Sequence, residues 1–310
     1  MNYRSISDLN RTILKHLYIL PRNIDLIVGI PRSGMFPANL LALYLNRPIT
    51  DLDSFVNGHI YKAGERGRFI DIKQFKNILI VDDSVSSGSA MLKCKEKVKH
   101  LENTFDIKYA AIYVIPGKED TVDYIFDVVP LPRYFQWNIL NHVILEKTCV
   151  DIDGVLCVDP TSQQNDDGEK YIDFVLNAKP LFIPGAIIGT LVTSRLEKYR
   201  KETEIWLENN HVKYNKLVML DLPDKESRIK ANCHASHKAK EYQNTIYSLF
   251  IESSLAQAIE INKITKKPVL CTENFEMIFN SQSIMYNIRS GQTFPLIRKV
   301  ILKLRKILKN

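Results

Sequence analysis

The residues best suited to chemistry form two clusters, each at the end of an apolar run. In the first, Ile78-Leu79-Ile80-Val81 leads into Asp82-Asp83 and then Ser84-Val85-Ser86-Ser87-Gly88-Ser89-Ala90. A strand of this composition delivers two carboxylates to its exit, and a loop of small residues then opens a helix. Small side chains let backbone N–H groups close around a phosphate, and the helix N-terminus adds a favourable field. Two carboxylates beside such a cradle suit ribose hydroxyls, or a magnesium ion held partly through water. A lone Asp-Asp pair would read as an acidic turn with a serine cap; the complete strand, acid pair, small loop and helix favour the phosphate reading. In the second cluster, Thr148-Cys149-Val150 leads into Asp151-Ile152-Asp153-Gly154-Val155-Leu156. Carboxylates at i and i+2 of a strand exit share a face and can divide labour. The first attacks phosphorus; the second protonates the leaving alkoxide and later activates water. The plain alternative is a calcium-like acidic loop.

The elements that must position these clusters follow from periodicity. Residues 5–18 have helical spacing, with Ile6, Leu9, Ile13 and Leu17 on one side. Residues 25–30 form an apolar run ending in Pro31-Arg32-Ser33-Gly34, with a helix expected after it. Strands are expected at 77–81 and 109–115, with a helix over 89–101 between them. A second series begins near residue 146, with strands at 148–152, 186–193, 216–220 and 245–251 and helices at 197–209 and 254–262. Strands alternating with helices predict α/β architecture with parallel sheets, ligands lying at the carboxyl ends of strands. The predicted boundary falls at about residue 145, giving domains over 1–145 and 146–290 and a separate helix over 291–310. The polar stretch 159–170 reads as a mobile insertion.

The first cluster resembles the phosphoribosyl-diphosphate loop of type I phosphoribosyltransferases. That resemblance implies that Asp82 and Asp83 hold the ribose hydroxyls and that Ser86, Ser87, Gly88, Ser89 and Ala90 wrap the 5-phosphate. Val28-Gly29-Ile30-Pro31-Arg32-Ser33-Gly34 is similar to the diphosphate loop of the same family. It implies a catalytic role for Arg32, whose fork of donors suits diphosphate oxygens, and binding at Ser33 and Gly34. The resemblance also implies a cis peptide here, with Arg32–Ser33 as the expected bond. Residues 57–71 look like the family's catalytic loop, with Lys62, Arg66 and Arg68 reaching over the diphosphate; a solvated charged hairpin is the plain reading. Pro132-Arg133-Tyr134-Phe135-Gln136-Trp137-Asn138 either lines an acceptor pocket or packs as a plug.

The second cluster resembles motif one of the haloacid dehalogenase phosphatase superfamily. The resemblance implies Asp151 as nucleophile and metal ligand and Asp153 as general acid–base and metal ligand. Leu191-Val192-Thr193-Ser194-Arg195 is similar to motif two, with Thr193 binding the transferring phosphoryl group. For motif three the residue is Lys238, with Lys240 in reserve, and for motif four Glu252 is the metal ligand. Ser253 stands where the family usually has a second acid, which implies weaker magnesium binding rather than none. Together the resemblances imply two Rossmann-like α/β domains with mainly parallel sheets, a phosphoribosyltransferase fold followed by a haloacid dehalogenase-like fold.

Bulk properties agree with such a chain. An apolar fraction of 45% over 310 residues allows each half its own core. Five scattered cysteines without a C-x-x-C spacing point to reduced thiols. No run reaches the ~20 apolar residues of a membrane span, and the N-terminus does not read as a signal peptide. The net charge of +7 is partly local. Residues 294–309 form a basic amphipathic helix suited to anionic lipid, or to packing on protein.

The two resemblances, joined in one chain, imply an enzyme similar to the bifunctional proteins that add ribofuranose to bacterial surface polysaccharides. Its expected partners are phosphoribosyl diphosphate and a lipid-linked glycan, with Mg2+ as cofactor. The expected location is cytoplasmic, peripheral at the inner face of the membrane, and nucleic acid is not expected. Two other readings are a nucleobase phosphoribosyltransferase joined to a nucleotide phosphatase, and a ligand-sensing RNA-binding regulator.

Overall fold

Apolar strands that leave no polar face must be covered on both sides, and the chain does this twice. The computed structural model describes residues 1–61 and 75–280. Lys62, Arg66, Arg68 and the basic stretch 294–309 lie outside the described residues. The chain divides into two compact units, Met1–Trp137 and Asn138–Asn310. Within the second unit a 3-10 helix over Val143–Lys147, around the expected boundary at about residue 145, leads directly into the first strand.

The first unit runs β1 (Asn2–Arg4), α1 (Ile6–His16), β2 (Leu26–Gly29), α2 (Met35–Leu45), β3 (Ile49–Asp51), α3 (Leu52–Val56), β4 (Asn77–Val85), α4 (Ser89–Val98), β5 (Asp106–Val114), β6 (Tyr124–Val128) and β7 (Arg133–Phe135). The short helix α5 (Gln136–Ile139) follows. The main sheet has the order β3-β2-β4-β5-β6, and every pairing is parallel. β1 and β7 form a separate parallel pair. The start of α1 is fixed by a capping box between Ser5 and Asp8. One face of the sheet is filled by Leu9, Ile13, Leu41, Leu79 and Tyr113. The other is filled by Leu26, Phe55, Ile80, Met91 and Val98.

The second unit runs β8 (Thr148–Val150), α6 (Glu169–Asn177), β9 (Ile188–Leu196), α7 (Arg200–Asn209), β10 (Tyr214–Leu220), α8 (Lys225–Ala231), α9 (His234–Gln243), β11 (Leu249–Glu252), α10 (Leu255–Thr265), β12 (Val269–Cys271) and β13 (Glu276–Ile278). Its sheet order is β10-β9-β8-β11-β12-β13. Only the β12–β13 pairing is antiparallel. The protein is therefore α/β with mainly parallel sheets. The short strands β3, β6, β12 and β13, at or next to sheet edges, were not among the expected elements. They are three to five residues long, and unlike the equally short β2, β8 and β11 they do not sit in a longer apolar run.

Segment 159–170 is tied down rather than loose. Asp166 accepts from the backbone N–H groups of Gly168 and Tyr171. Asp167 accepts from Lys198 Nζ, the Tyr199 hydroxyl and the Lys225 backbone N–H. Its polar composition serves these bonds, which is why composition alone suggested mobility. Among the described residues no helix is long and apolar enough to cross a membrane.

Candidate active sites

In the first unit β2 follows β4 only as far as Gly29↔Val81, whereas β5 continues to Val85↔Val114. Asp82 and Asp83 therefore stand on a stretch of β4 that β2 has left, where the chain turns away as loop 30–34. The two loops meet here: Ser33 Oγ donates to Asp83 Oδ1 at 2.8 Å, and the Asp83 N–H donates to Asp82 Oδ1 at 2.9 Å. A Cβ on Gly34 would lie 2.6 Å from the Ile30 carbonyl oxygen and 2.9 Å from Asp82 Oδ1. Only glycine permits this approach. Burial, helped by the charge of Asp83, pushes the Asp82 carboxyl up to about 7.

Ser86, Ser87, Ser89 and Ala90 are exposed beside this notch, and Gly88 opens α4. Ser87 Oγ donates to Ser89 Oγ. Arg32 is exposed on loop 30–34. The cis peptide lies one bond earlier than expected, between Pro31 and Arg32.

The aromatic segment 132–138 packs into its own unit. Phe135 stacks on Tyr113 at 5.3 Å and on Trp137 at 4.9 Å between ring centroids. Buried Arg133 donates to the carbonyl oxygens of Val85 and Tyr113. The edge of Trp137 reaches the acid pair, with Nε1 donating to Asp83 Oδ2 at 2.7 Å. Sequence reasoning missed this role because nothing local to Trp137 signals a partner 54 residues away.

In the second unit β8 ends at Val150, between β9 and β11, and the Asp151 N–H is still held by the Ile251 carbonyl. Asp151 thus emerges from the centre of a parallel sheet. Lys238 on α9 is buried and lies between two carboxylates, 2.7 Å from Asp151 Oδ2 and 2.7 Å from Glu252 Oε2. It also donates to Gln257 Oε1, so all three of its donors are used. Burial pushes the Asp151 carboxyl up, while the two flanking carboxylates hold Lys238 firmly protonated. Lys240, the reserve residue, is exposed.

Asp153 is clamped by Arg195, which is fully buried on β9. Its Nε lies 3.1 Å from Asp153 Oδ2 and its Nη2 2.7 Å from Oδ1. Arg195 was visible in the sequence only as the residue after Thr193-Ser194; its partner is set by the fold. Thr193 is buried and its hydroxyl accepts from the Arg195 N–H at 3.1 Å. The next residue, Ser194, lines the cavity described below. Ser253 donates to the Asp153 carbonyl oxygen and packs against Gly154, where a Cβ would come within 2.4 Å of its hydroxyl.

The three expected metal ligands do not gather as one set. The Asp153 carboxylate is taken by Arg195, and Glu252 is taken by Lys238 and the Ser254 N–H. Among the described residues no group of three or more His, Cys, Asp or Glu side chains stands ready to hold a metal ion. The two buried cations explain this: each offsets a carboxylate that would otherwise lie unpaired. Asp151, Asp153 and Glu252 nonetheless present oxygens, the type a hard cation that keeps its waters prefers, with the imidazole of His234 in the same cavity wall.

These groups border a cavity of about 650 Å³ within the second unit, lined by Asp151, Asp153, Ser194, Arg228, His234 and Lys238 among others. Burial, with the charges of Arg228 and Lys238, pushes the pKa of His234 down. Asn165 and Tyr171 bring segment 159–170 and α6 into the wall.

Comparison with known proteins bears on the first unit. The phosphoribosyl transferase domain model matches residues 2–139. No curated protein matches the chain. Among solved structures, a purine phosphoribosyltransferase from Pyrococcus horikoshii is 24% identical over 44% of this chain and 92% of that one, with a TM-score of 0.32. A xanthine-guanine-hypoxanthine phosphoribosyltransferase from Helicobacter pylori is 15% identical over 44% and 93%, with a TM-score of 0.36. A hypothetical protein from Neisseria gonorrhoeae with bound ppGpp is 19% identical over 45% and 90%, with a TM-score of 0.33. At these TM-scores the likenesses carry no argument about substrate. With the acid pair, its small-residue loop and loop 30–34 gathered at one sheet exit, the match over residues 2–139 makes the N-terminal unit a phosphoribosyltransferase domain.

Proposed function

We propose that the chain is a bifunctional enzyme that transfers 5-phosphoribosyl from phosphoribosyl diphosphate to a glycan hydroxyl and then hydrolyses the 5-phosphate. The observation that carries the second step is the buried Asp151–Lys238–Glu252 arrangement at the edge of a cavity, in a chain whose other unit is a phosphoribosyltransferase domain. Transfer leaves a phosphate on the sugar; a phosphatase site in the same polypeptide removes it.

In the first step Asp82 and Asp83 orient the ribose through its hydroxyls, and the 86–90 loop holds the 5-phosphate. The bond from the anomeric carbon to diphosphate breaks, and Arg32 stabilises the leaving charge. Attack by the acceptor hydroxyl from the opposite face gives a β-linked product. In the second step Asp151 attacks the phosphorus of the 5-phosphate and Asp153 supplies the proton to the departing alkoxide. Arg195 orients Asp153; having given up its proton, Asp153 takes one from water in the second half-reaction, and that water attacks the phosphoryl group on Asp151, releasing phosphate and freeing the carboxylate. Lys238 holds Asp151 in place. Asp82 and Asp83 in the first unit, and Asp151 with Glu252 in the second, would hold magnesium, which would supply charge neutralisation at both phosphates.

The basic amphipathic stretch 294–309 supports an acceptor at an anionic lipid surface, hence a cytoplasmic enzyme working at the inner face of the membrane. Incubation with phosphoribosyl diphosphate, Mg2+ and lipid-linked glycans should release diphosphate and then phosphate. Asp151→Asn protein should accumulate a glycan heavier by one phosphate. Turnover with free purines or pyrimidines, and with no glycan, would replace this reading by base salvage coupled to nucleotide hydrolysis. Salt-dependent RNA binding without turnover would replace it by a regulator.

A further inference from the structure

Arg228 on α8 is only 8% exposed, yet among the described residues no carboxylate pairs with it. Its partners are neutral: Nη1 donates to the Ser194 carbonyl oxygen at 3.2 Å and Nη2 to Asn165 Oδ1 at 3.3 Å, and the Tyr171 hydroxyl lies alongside. Its Nε is buried with no hydrogen-bond partner, and so is the hydroxyl of Ser194. Both residues line the cavity that contains Asp151. A buried guanidinium without a counter-charge is costly, and two orphaned donors from adjoining residues add to that cost. The other cations of the cavity region are already committed. Lys238 serves two carboxylates, and Arg195 serves Asp153. Asp151 and Glu252 thus share the single ammonium of Lys238, while Asp153 is paired with Arg195. A phosphate monoester would bring two more negative charges to this place.

We infer that Arg228 and the Ser194 hydroxyl form an anion subsite that holds the non-bridging oxygens of a phosphate group brought to Asp151. The planar fork of Arg228 suits phosphate oxygens, and its ties to Ser194 and Asn165 fix it in advance. Asp167, by binding the Lys225 N–H at the start of α8, holds segment 159–170 against the helix that carries this arginine. The subsite therefore depends on that segment being in place. The inference rests on the phosphatase reading of the second unit.

Three measurements on the full chain test it. In the first, Arg228→Met should raise KM for ribose 5-phosphate and for 4-nitrophenyl phosphate alike, by about 10–100-fold. In the second, it should weaken inhibition of hydrolysis by inorganic phosphate to a similar extent. Ser194→Ala, which removes a hydroxyl with no partner, should weaken phosphate inhibition several-fold at an unchanged melting temperature, separating the effect from misfolding. A rise in KM confined to ribose 5-phosphate, with phosphate inhibition intact, would show that Arg228 reads the sugar and would overturn the inference. Unaltered kinetics in both variants would do the same. In the third, calorimetric titration with inorganic phosphate should lose one class of site in Arg228→Met protein. If the unaltered chain hydrolyses no phosphate ester, the phosphatase reading falls and this titration decides alone. Loss of a site then keeps the subsite, and an unchanged titration removes it.

Discussion

Asp82 shows how burial shapes a single carboxylate. Its carboxyl is pushed up to about 7 by burial and by the charge of Asp83. Between the ordinary carboxylate range and that value, the folded protein holds a proton that the unfolded chain has released. Stability therefore falls as pH rises through this window. Asp82→Asn should remove the dependence and stabilise the protein at pH 8 by roughly 1–3 kcal/mol, read by denaturant unfolding at pH 5 and pH 8. The same group should make affinity for phosphoribosyl diphosphate fall as pH drops below about 7, since a protonated acid is a poorer acceptor for ribose hydroxyls. A flat binding profile between pH 6 and 8 would count against Asp82 as a ribose ligand.

At the scale of elements, contacts between strands and helices carry functions that no local pattern announces. β9 does more than fill the sheet, because its last residues place Arg195 against Asp153. Arg195→Met should leave that carboxylate without its partner, costing about 3–5 kcal/mol of stability, and should depress phosphate hydrolysis further than the fold loss explains. Equal activity in Arg195→Met and unaltered protein would show the pair to be structural only. Trp137→Phe keeps the aromatic stack but removes the bond to Asp83. Weaker binding of phosphoribosyl diphosphate, by about 1 kcal/mol, is expected at unchanged phosphatase activity.

These two residues also mark the limit of what could be read from the chain alone. Asp82, Asp83, Asp151 and Asp153 were legible because two acids directly after an apolar run form a short, local signal. Lys238 was legible only through a family motif, and its place between Asp151 and Glu252 was not. Arg195, Arg228 and Trp137 act across 42, 34 and 54 residues of sequence, so neither composition nor period points to them. The alternation of strands and helices was readable for β2, β4, β5 and β8 to β11, but not for the short strands β3, β6, β12 and β13, whose pairing is fixed by their neighbours.

For the whole molecule, each unit contains its own acid pair, so the two proposed reactions should be separable by substitution. Asp83→Asn is expected to cut diphosphate release at least about 100-fold while hydrolysis of a simple phosphate ester continues, and Asp151→Asn should do the reverse. Coupled assays for diphosphate and for phosphate on both variants check this. Loss of both activities in either single variant would mean that the units do not work independently. Chelation of divalent ions should suppress both reactions, with recovery on adding magnesium.

Trp137 is the last residue of the first unit, and from there it grips Asp83, the acid proposed to hold the ribose. Laboratories wishing to express the transferase half alone must therefore choose their cut with care. A fragment stopping near residue 130 would keep both recognisable sequence motifs yet lack Phe135 and Trp137, and Asp83 would lose one of its two side-chain donors. Such a fragment would pass a motif search and still bind its donor poorly, whereas one extended past residue 139 retains the full clasp.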